Sequence, residues 1–187
     1  MRILITNDDG IQSPGLEALV KVLHKEHQVI VAAPASQQSA KAHAITVRER
    51  LYVEEYAPLQ EAYGIKALAI SGTPADTVKL YVEGIIQRNP ALKPDLVISG
   101  INDGSNVGTD ILYSGTIGAA TEGYVQGVNG LAVSLDYNAE YDFEVVAKEI
   151  AARLHLLFPV GCGKTLLNIN FPKRLAQQPK WLWCRQG

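Results

Sequence analysis

The sequence predicts an α/β protein with a doubly wound, mostly parallel sheet and helices on both faces, a Rossmann-like arrangement. Three observations carry this. Short apolar, β-branched runs alternate with segments of helical period along the whole chain. Helix-start signals, Ser13-Pro14 and Thr73-Pro74, follow two of those runs directly. No internal repeat or low-complexity tract interrupts the alternation.

The elements follow in order. Arg2-Ile3-Leu4-Ile5-Thr6 reads as a buried first strand. Ser13 caps and Pro14 opens a helix whose apolar stripe is Leu16, Leu19, Val20 and Leu23. Residues 28–33 form a second buried strand, and 34–44 a long polar loop. Residues 45–47 and 51–55 read as short exposed strands that could pair, and 65–70 as a further apolar strand. Thr73-Pro74-Ala75-Asp76 opens a helix with a capping-box pattern, its apolar face Val78, Tyr81, Val82, Ile85 and Ile86. A strand over 96–99 leads into a Gly/Asn-rich loop over 100–113. A small-residue helix over 115–126, a strand over 131–135, an amphipathic helix over 142–157 and a strand over 166–169 complete the alternation. Trp181-Leu182-Trp183-Cys184 reads as a terminal strand, a sheet edge without its neighbour.

Size and composition bound the function. The 187 residues fit one domain, expected to span 1–187, and the 47% hydrophobic content supplies a core and excludes disorder. A net charge of −2 gives no global attraction to nucleic-acid duplexes or anionic lipid. No apolar run approaches a bilayer span, and the N-terminal run reads as a strand, not a leader. Cys162 and Cys184 are compatible with a disulfide but do not require one, and a reducing cytoplasm is the expected location.

The strongest chemical signal is Asn7-Asp8-Asp9-Gly10, at the predicted end of the first strand. Two adjacent carboxylates repel each other, and a divalent cation is the simplest counter-charge. Loops at the carboxyl ends of parallel strands are where open α/β sheets bind ligands. A solvated turn is the alternative reading, since Asp and Gly favour turns for backbone reasons. Tyr113-Ser114-Gly115-Thr116 opens the small-residue helix, where amides and hydroxyls suit a phosphate; a simple cap is the alternative. The Asn and Ser side chains of 99–108 offer neutral oxygens.

Other motifs fail. Gly161-Cys162-Gly163-Lys164-Thr165 ends like a P-loop, but Phe158 stands where the first glycine is needed, and a strand follows in place of a helix. There is no GxGxxG, which disfavours a dinucleotide-dependent dehydrogenase. His24 and His27 lie where they would complement the first helix's dipole, and His43 lies in the polar loop, solvated or within reach of substrate.

Taken together, Thr6-Asn7-Asp8-Asp9-Gly10-Ile11, Ser39, Gly72-Thr73-Pro74-Ala75-Asp76, Ser99-Gly100-Ile101-Asn102 with Gly104 and Asn106, and Tyr113-Ser114-Gly115-Thr116 resemble the SurE family from Met1 to about Phe171. That family comprises the survival-protein nucleotidases, metal-dependent phosphatases of nucleoside 5′- and 3′-monophosphates. The resemblance implies a metal site of Asp8, Asp9, Ser39 and Asn102. One Mg²⁺ or Mn²⁺ per subunit is expected there, since an all-oxygen set suits a hard cation. The resemblance also implies phosphate contacts from Asn7, Asn106, Ser114, Gly115 and Thr116. Separately from the resemblance, Asp8 or Asp9 is the expected general base, Asp8 marginally favoured. Ala40 stands where the family often has Gly, which is expected to stiffen that loop. Family members usually continue into a hairpin and terminal helix used in subunit exchange, and this chain is expected to lack them. The expected assembly is a homodimer without that exchanged tail. The rival expectation is an inactive remnant that binds nucleotide or phosphate without turnover.

Overall fold

The computed structural model describes residues 1–161, 163–176 and 179–185; Cys162 lies outside the described residues. Seven strands among them form one sheet in the order β3-β4-β2-β1-β5-β6-β7. They are β1 (Arg2–Thr6), β2 (Gln28–Pro34), β3 (Val53–Glu55), β4 (Lys66–Ile70), β5 (Leu96–Asp103), β6 (Asn129–Leu135) and β7 (Leu166–Phe171). Every pairing is parallel except β3 with β4, which is antiparallel at one edge. The α-helices are α1 (Pro14–Leu23), α2 (Ala57–Tyr63), α3 (Pro74–Lys79), α4 (Ile86–Arg88), α5 (Gly115–Val125) and α6 (Phe143–Leu157).

Strand alternation distributes the core over both faces. Ile3 and Ile5 of β1 point into a cluster with Leu16, Leu19 and Val20 of α1 and Val146 and Ile150 of α6. Leu4, between them, points the other way, into a cluster with Val78, Tyr81 and Ala119 from the side of α3 and α5. Burying both faces explains why the central strands read as continuous apolar runs. Ser13 and Thr73 cap their helices as the sequence indicates, and Asp76 completes the capping box.

Several expectations need correction. Residues 45–47 form no strand: the Thr46 amide, which a ladder would need, donates to Asp76 Oδ1 at 2.9 Å. The expected strand over 51–55 shortens to Val53–Glu55 and pairs with β4. Residues 181–184 are not a strand either. Trp181 packs edge-on against Phe171 with ring centroids 5.8 Å apart and lies under the Arg153 guanidinium, so side-chain contacts hold this segment where a ladder was expected. α2 has no counterpart in the sequence reading, and the helix begun by α3 passes into a π-helical stretch over Leu80–Ile85. β5 runs on to Asp103, and a 3-10 turn, Gly108–Leu112, sits inside the expected loop.

Candidate active site

β1 lies between β2 and β5. The chain winds from β1 outward through β2 to β4, then returns to place β5 on the other side of β1. The crevice at the carboxyl ends of β1 and β5 is therefore the topological switch point of the sheet, where such folds bind ligands. A cleft of about 500 Å³ opens there, and Asp8, Asp9, Ser39, Asn102, Asn106 and Ser114 all line it.

The sequence builds this wall in pieces. Asn7, fully buried, donates from Nδ2 to Gly10 O at 2.9 Å and Ser13 Oγ at 2.7 Å, folding the acidic loop onto the start of α1. Gln38 N donates to Asp8 O at 2.7 Å, which brings the Ser39 segment beside the carboxylates. On the far side, Asn102 Nδ2 donates to Gly104 O at 2.7 Å. That bond fixes the amide and leaves its Oδ1 as the free oxygen.

Asp8 is 7% exposed. Thr116 Oγ1 donates to its Oδ1 at 2.6 Å. Burial raises the Asp8 carboxyl above its ordinary value, opposed by the Thr116 hydroxyl and by the amides of Thr116 and Gly115. An anion does occupy the N-terminus of α5, and it is Asp8 itself. Gly115 permits this approach: a Cβ there would lie 2.8 Å from Asp8 Cβ. Asp9 is pushed up to about 6 by burial first, then by the charges of Asp8 and Asp103, against the Asp103 amide and the Gln37 side chain. Three carboxylates thus gather in a cleft whose described lining includes no Lys, Arg or His.

Of the residues expected from the sequence, the structure brings Asp8, Asp9, Ser39, Asn102, Asn106 and Ser114 to one cleft. It places three elsewhere. Asn7 is turned inward to the α1 cap, Gly115 packs under Asp8, and Thr116 is fully buried with its hydroxyl on Asp8. Gln37, Asp103, Asp110 and Tyr137 also line the cleft and were not singled out by the sequence. Asn168 and Asn170, which bond to Asn106, were also missed, although the alternation Leu167-Asn168-Ile169-Asn170 puts both on one strand face.

The histidines have other partners. His24 sits at the end of α1 with Nδ1 2.9 Å from Val20 O. His27 Nδ1 is buried without a partner. His43 Nε2 lies 2.7 Å from Glu122 Oε2 and tethers the Ser39 loop to α5. A second groove of about 350 Å³, between Ile45, Leu51 and Leu80, holds Asp76, Lys79 and Glu83. Its charges are matched: Lys79 pairs with Glu83 at 2.6 Å, and Asp76 accepts from Thr46 and Thr73. Among the described residues no three His, Cys, Asp or Glu side chains cluster as a metal site, so Asp8 and Asp9 would need neutral oxygens beside them to complete a donor set, and Ser39 and Asn102 line the same cleft.

The donor set fits a hard divalent cation. Every candidate donor is oxygen, none is sulfur, and no basic side chain stands among the described lining residues.

Comparisons with known proteins agree with this placement. A family model described as "Survival protein SurE" matches residues 3–187. The 5'-nucleotidase SurE of Solidesulfovibrio magneticus is 50% identical over 180 residues, 93% of this chain and 66% of that protein. The 5'-nucleotidase SurE of Christiangramia forsetii is 42% identical over 191 residues, 99% of this chain and 70% of that protein. The chain thus spans about two thirds of the length of these relatives. The crystal structure of SurE from Aquifex aeolicus superposes with a TM-score of 0.79 at 35% identity, covering 93% of this chain and 67% of that one. From strand order to acidic loop, fold and sequence agree, and the chain belongs to the SurE family.

Proposed function

We propose that this chain is a divalent-metal-dependent phosphomonoesterase that hydrolyses nucleoside 5′- and 3′-monophosphates to nucleoside and phosphate. One observation carries the reading: Asp8, Asp9, Ser39 and Asn102 line a single cleft at the switch point of the sheet. Two relatives named 5'-nucleotidase SurE, at 42% and 50% identity, supply the substrate class. The intact oxygen set favours turnover over an inactive remnant.

Asp8, Asp9, Ser39 and Asn102 would hold one Mg²⁺ or Mn²⁺. Bound there, the cation supplies Lewis acidity to the phosphate oxygens and to nearby water. Asn106 and Ser114 face the cleft and take the remaining phosphate oxygens. Gly115 and Thr116 act on phosphate indirectly, by fixing Asp8, and Asn7 acts by folding the loop. Asp8 carries the Thr116 hydroxyl on one oxygen. Asp9 is half-exposed on the cleft and is the better placed of the two to take the proton from attacking water. As water adds to phosphorus and its proton passes to Asp9, the ester P–O bond breaks and the nucleoside oxygen takes up a proton from solvent as it leaves.

No helix among the described residues is long and apolar enough to cross a membrane. We place the protein in the cytoplasm as a single-domain subunit of a homodimer, with Leu182 and Trp183, 80% and 83% exposed, contributing apolar surface. Light scattering across a concentration series tests the assembly. A monomer at every concentration would reject the dimer.

Phosphate release from a panel of nucleoside monophosphates, with Mg²⁺, Mn²⁺ or EDTA, tests the reaction. The expected result is metal-dependent release. Release undiminished in EDTA, or no release from any nucleotide, would overturn the reading.

A further inference from the structure

We infer that Asn168 and Asn170 of β7 are positioning residues that hold Asn106 in its phosphate-binding attitude. The inference rests on the function proposed above.

Asn106 is buried, 6% exposed, although it belongs to a glycine-rich loop. Both of its backbone groups are held by side chains of one strand. Its N–H donates to Asn170 Oδ1 at 2.7 Å. Its C=O accepts from Asn168 Nδ2 at 2.9 Å and from Asn170 Nδ2 at 3.1 Å. The two clamping residues brace each other, Asn170 Nδ2 lying 3.2 Å from Asn168 Oδ1. With donor and acceptor both engaged, the peptide planes on either side of Asn106 are fixed.

The side chain is held separately. Asn106 Nδ2 donates to the fully buried Ser134 Oγ at 2.8 Å. A hydroxyl both donates and accepts, so the amide can exchange its ends against Ser134 without losing that bond. Asn106 can therefore present N–H to a phosphate oxygen while its position stays fixed. Only an acceptor-and-donor side chain reaches both an N–H and a C=O of the same residue, which is what asparagine supplies.

A simple tether of loop to strand predicts a different outcome from a phosphate-positioning clamp. A tether that fails loosens the whole cleft and weakens metal binding. A clamp that fails moves Asn106 alone.

The test compares Asn170→Ala and Asn168→Ala with the wild type. The readouts are the inhibition constant of inorganic phosphate, kcat/KM for a nucleoside 5′-monophosphate, and Mn²⁺ affinity by calorimetry. Asn170→Ala removes both its bonds to Asn106. It should raise the phosphate inhibition constant and lower kcat/KM by about tenfold each, typical of a lost supporting contact. Asn168→Ala removes one bond to Asn106 and should show the same pattern with a smaller loss. Mn²⁺ affinity should hold in both. If Asn170→Ala does not fold, Asn168→Ala still carries the comparison. Unchanged phosphate inhibition in the folded variants would overturn the inference, as would a Mn²⁺ affinity falling in step with kcat/KM. A wild type that neither turns over nor binds phosphate would remove the functional reading, and the inference with it. An active wild type beside unaffected variants removes the inference alone.

Discussion

Thr116 Oγ1 and Asp8 Oδ1 lie 2.6 Å apart although 108 residues separate them in sequence. The hydroxyl sits one residue into α5 and the carboxylate at the end of β1, so this bond joins two walls of the cleft. Thr116→Val removes the donor while keeping the shape. It leaves a buried carboxylate short of a partner, at about 1–3 kcal/mol. Mn²⁺ affinity should fall by about tenfold. Thr116→Ser should restore it, and titration calorimetry of the three proteins checks the order.

The raised Asp9 carboxyl makes metal-free stability depend on pH. Its value rises from 3.8 to about 6 in the folded state, so between those values the folded protein holds the proton more tightly. Metal-free stability therefore declines as pH rises from about 4 to about 6. Asp9→Asn removes this penalty, at the expense of metal binding. After discounting for solvent screening, the gain is about 1 kcal/mol, or about 2–4 °C in melting temperature. Melts in EDTA should show that gain at pH 7.5 and none below pH 4. A gain equal at both would show that the effect is not ionic.

Ala40 has φ 56° in the Ser39 loop, a left-handed conformation that favours glycine. Ala40→Gly should relieve about 1–2 kcal/mol of left-handed strain and lose about 0.4–1 kcal/mol through the freer unfolded chain, a net gain of about 0.5–1 kcal/mol. Urea unfolding with and without Mn²⁺ measures this.

Gly118 on α5 faces the same loop, where a Cβ would lie 2.2 Å from Ala42 O. Backbone cannot yield that distance cheaply. Gly118→Ala should cost about 1–3 kcal/mol and displace the Ser39 segment. A thermal melt and a Mn²⁺ titration should therefore change together.

The sheet was legible because buried parallel strands carry a composition of their own, as in residues 2–6 and 28–33, and because Ser13-Pro14 and Thr73-Pro74 announce helices chemically. α2 was not, since Leu59 is its one buried residue and no periodicity arises from a single position. Residues 45–47 and 181–184 have strand composition but no strand partner, and composition does not reveal partners. Within the cleft, residue type indicated an all-oxygen set around Asp8 and Asp9. It did not indicate whether the donors at the start of α5 meet phosphate directly or meet Asp8, because both are anions at a helix N-terminus. Asn168 and Asn170 were hidden because they act on backbone, which sequence alone does not place.

The central position of β1 has a consequence for the order of assembly during synthesis. Residues 2–6 are synthesised about 90 residues before β5, yet Ile3 has Leu96 as one of its partners and Thr6 has Ser99. The leading segment must wait, half-paired, until β5 has been translated. Closing so long a loop is slow, and the waiting segment exposes an unpaired apolar edge. The nascent chain is most vulnerable to self-association in that interval, and Asp8 and Asp9 meet Asn102 only once it has ended.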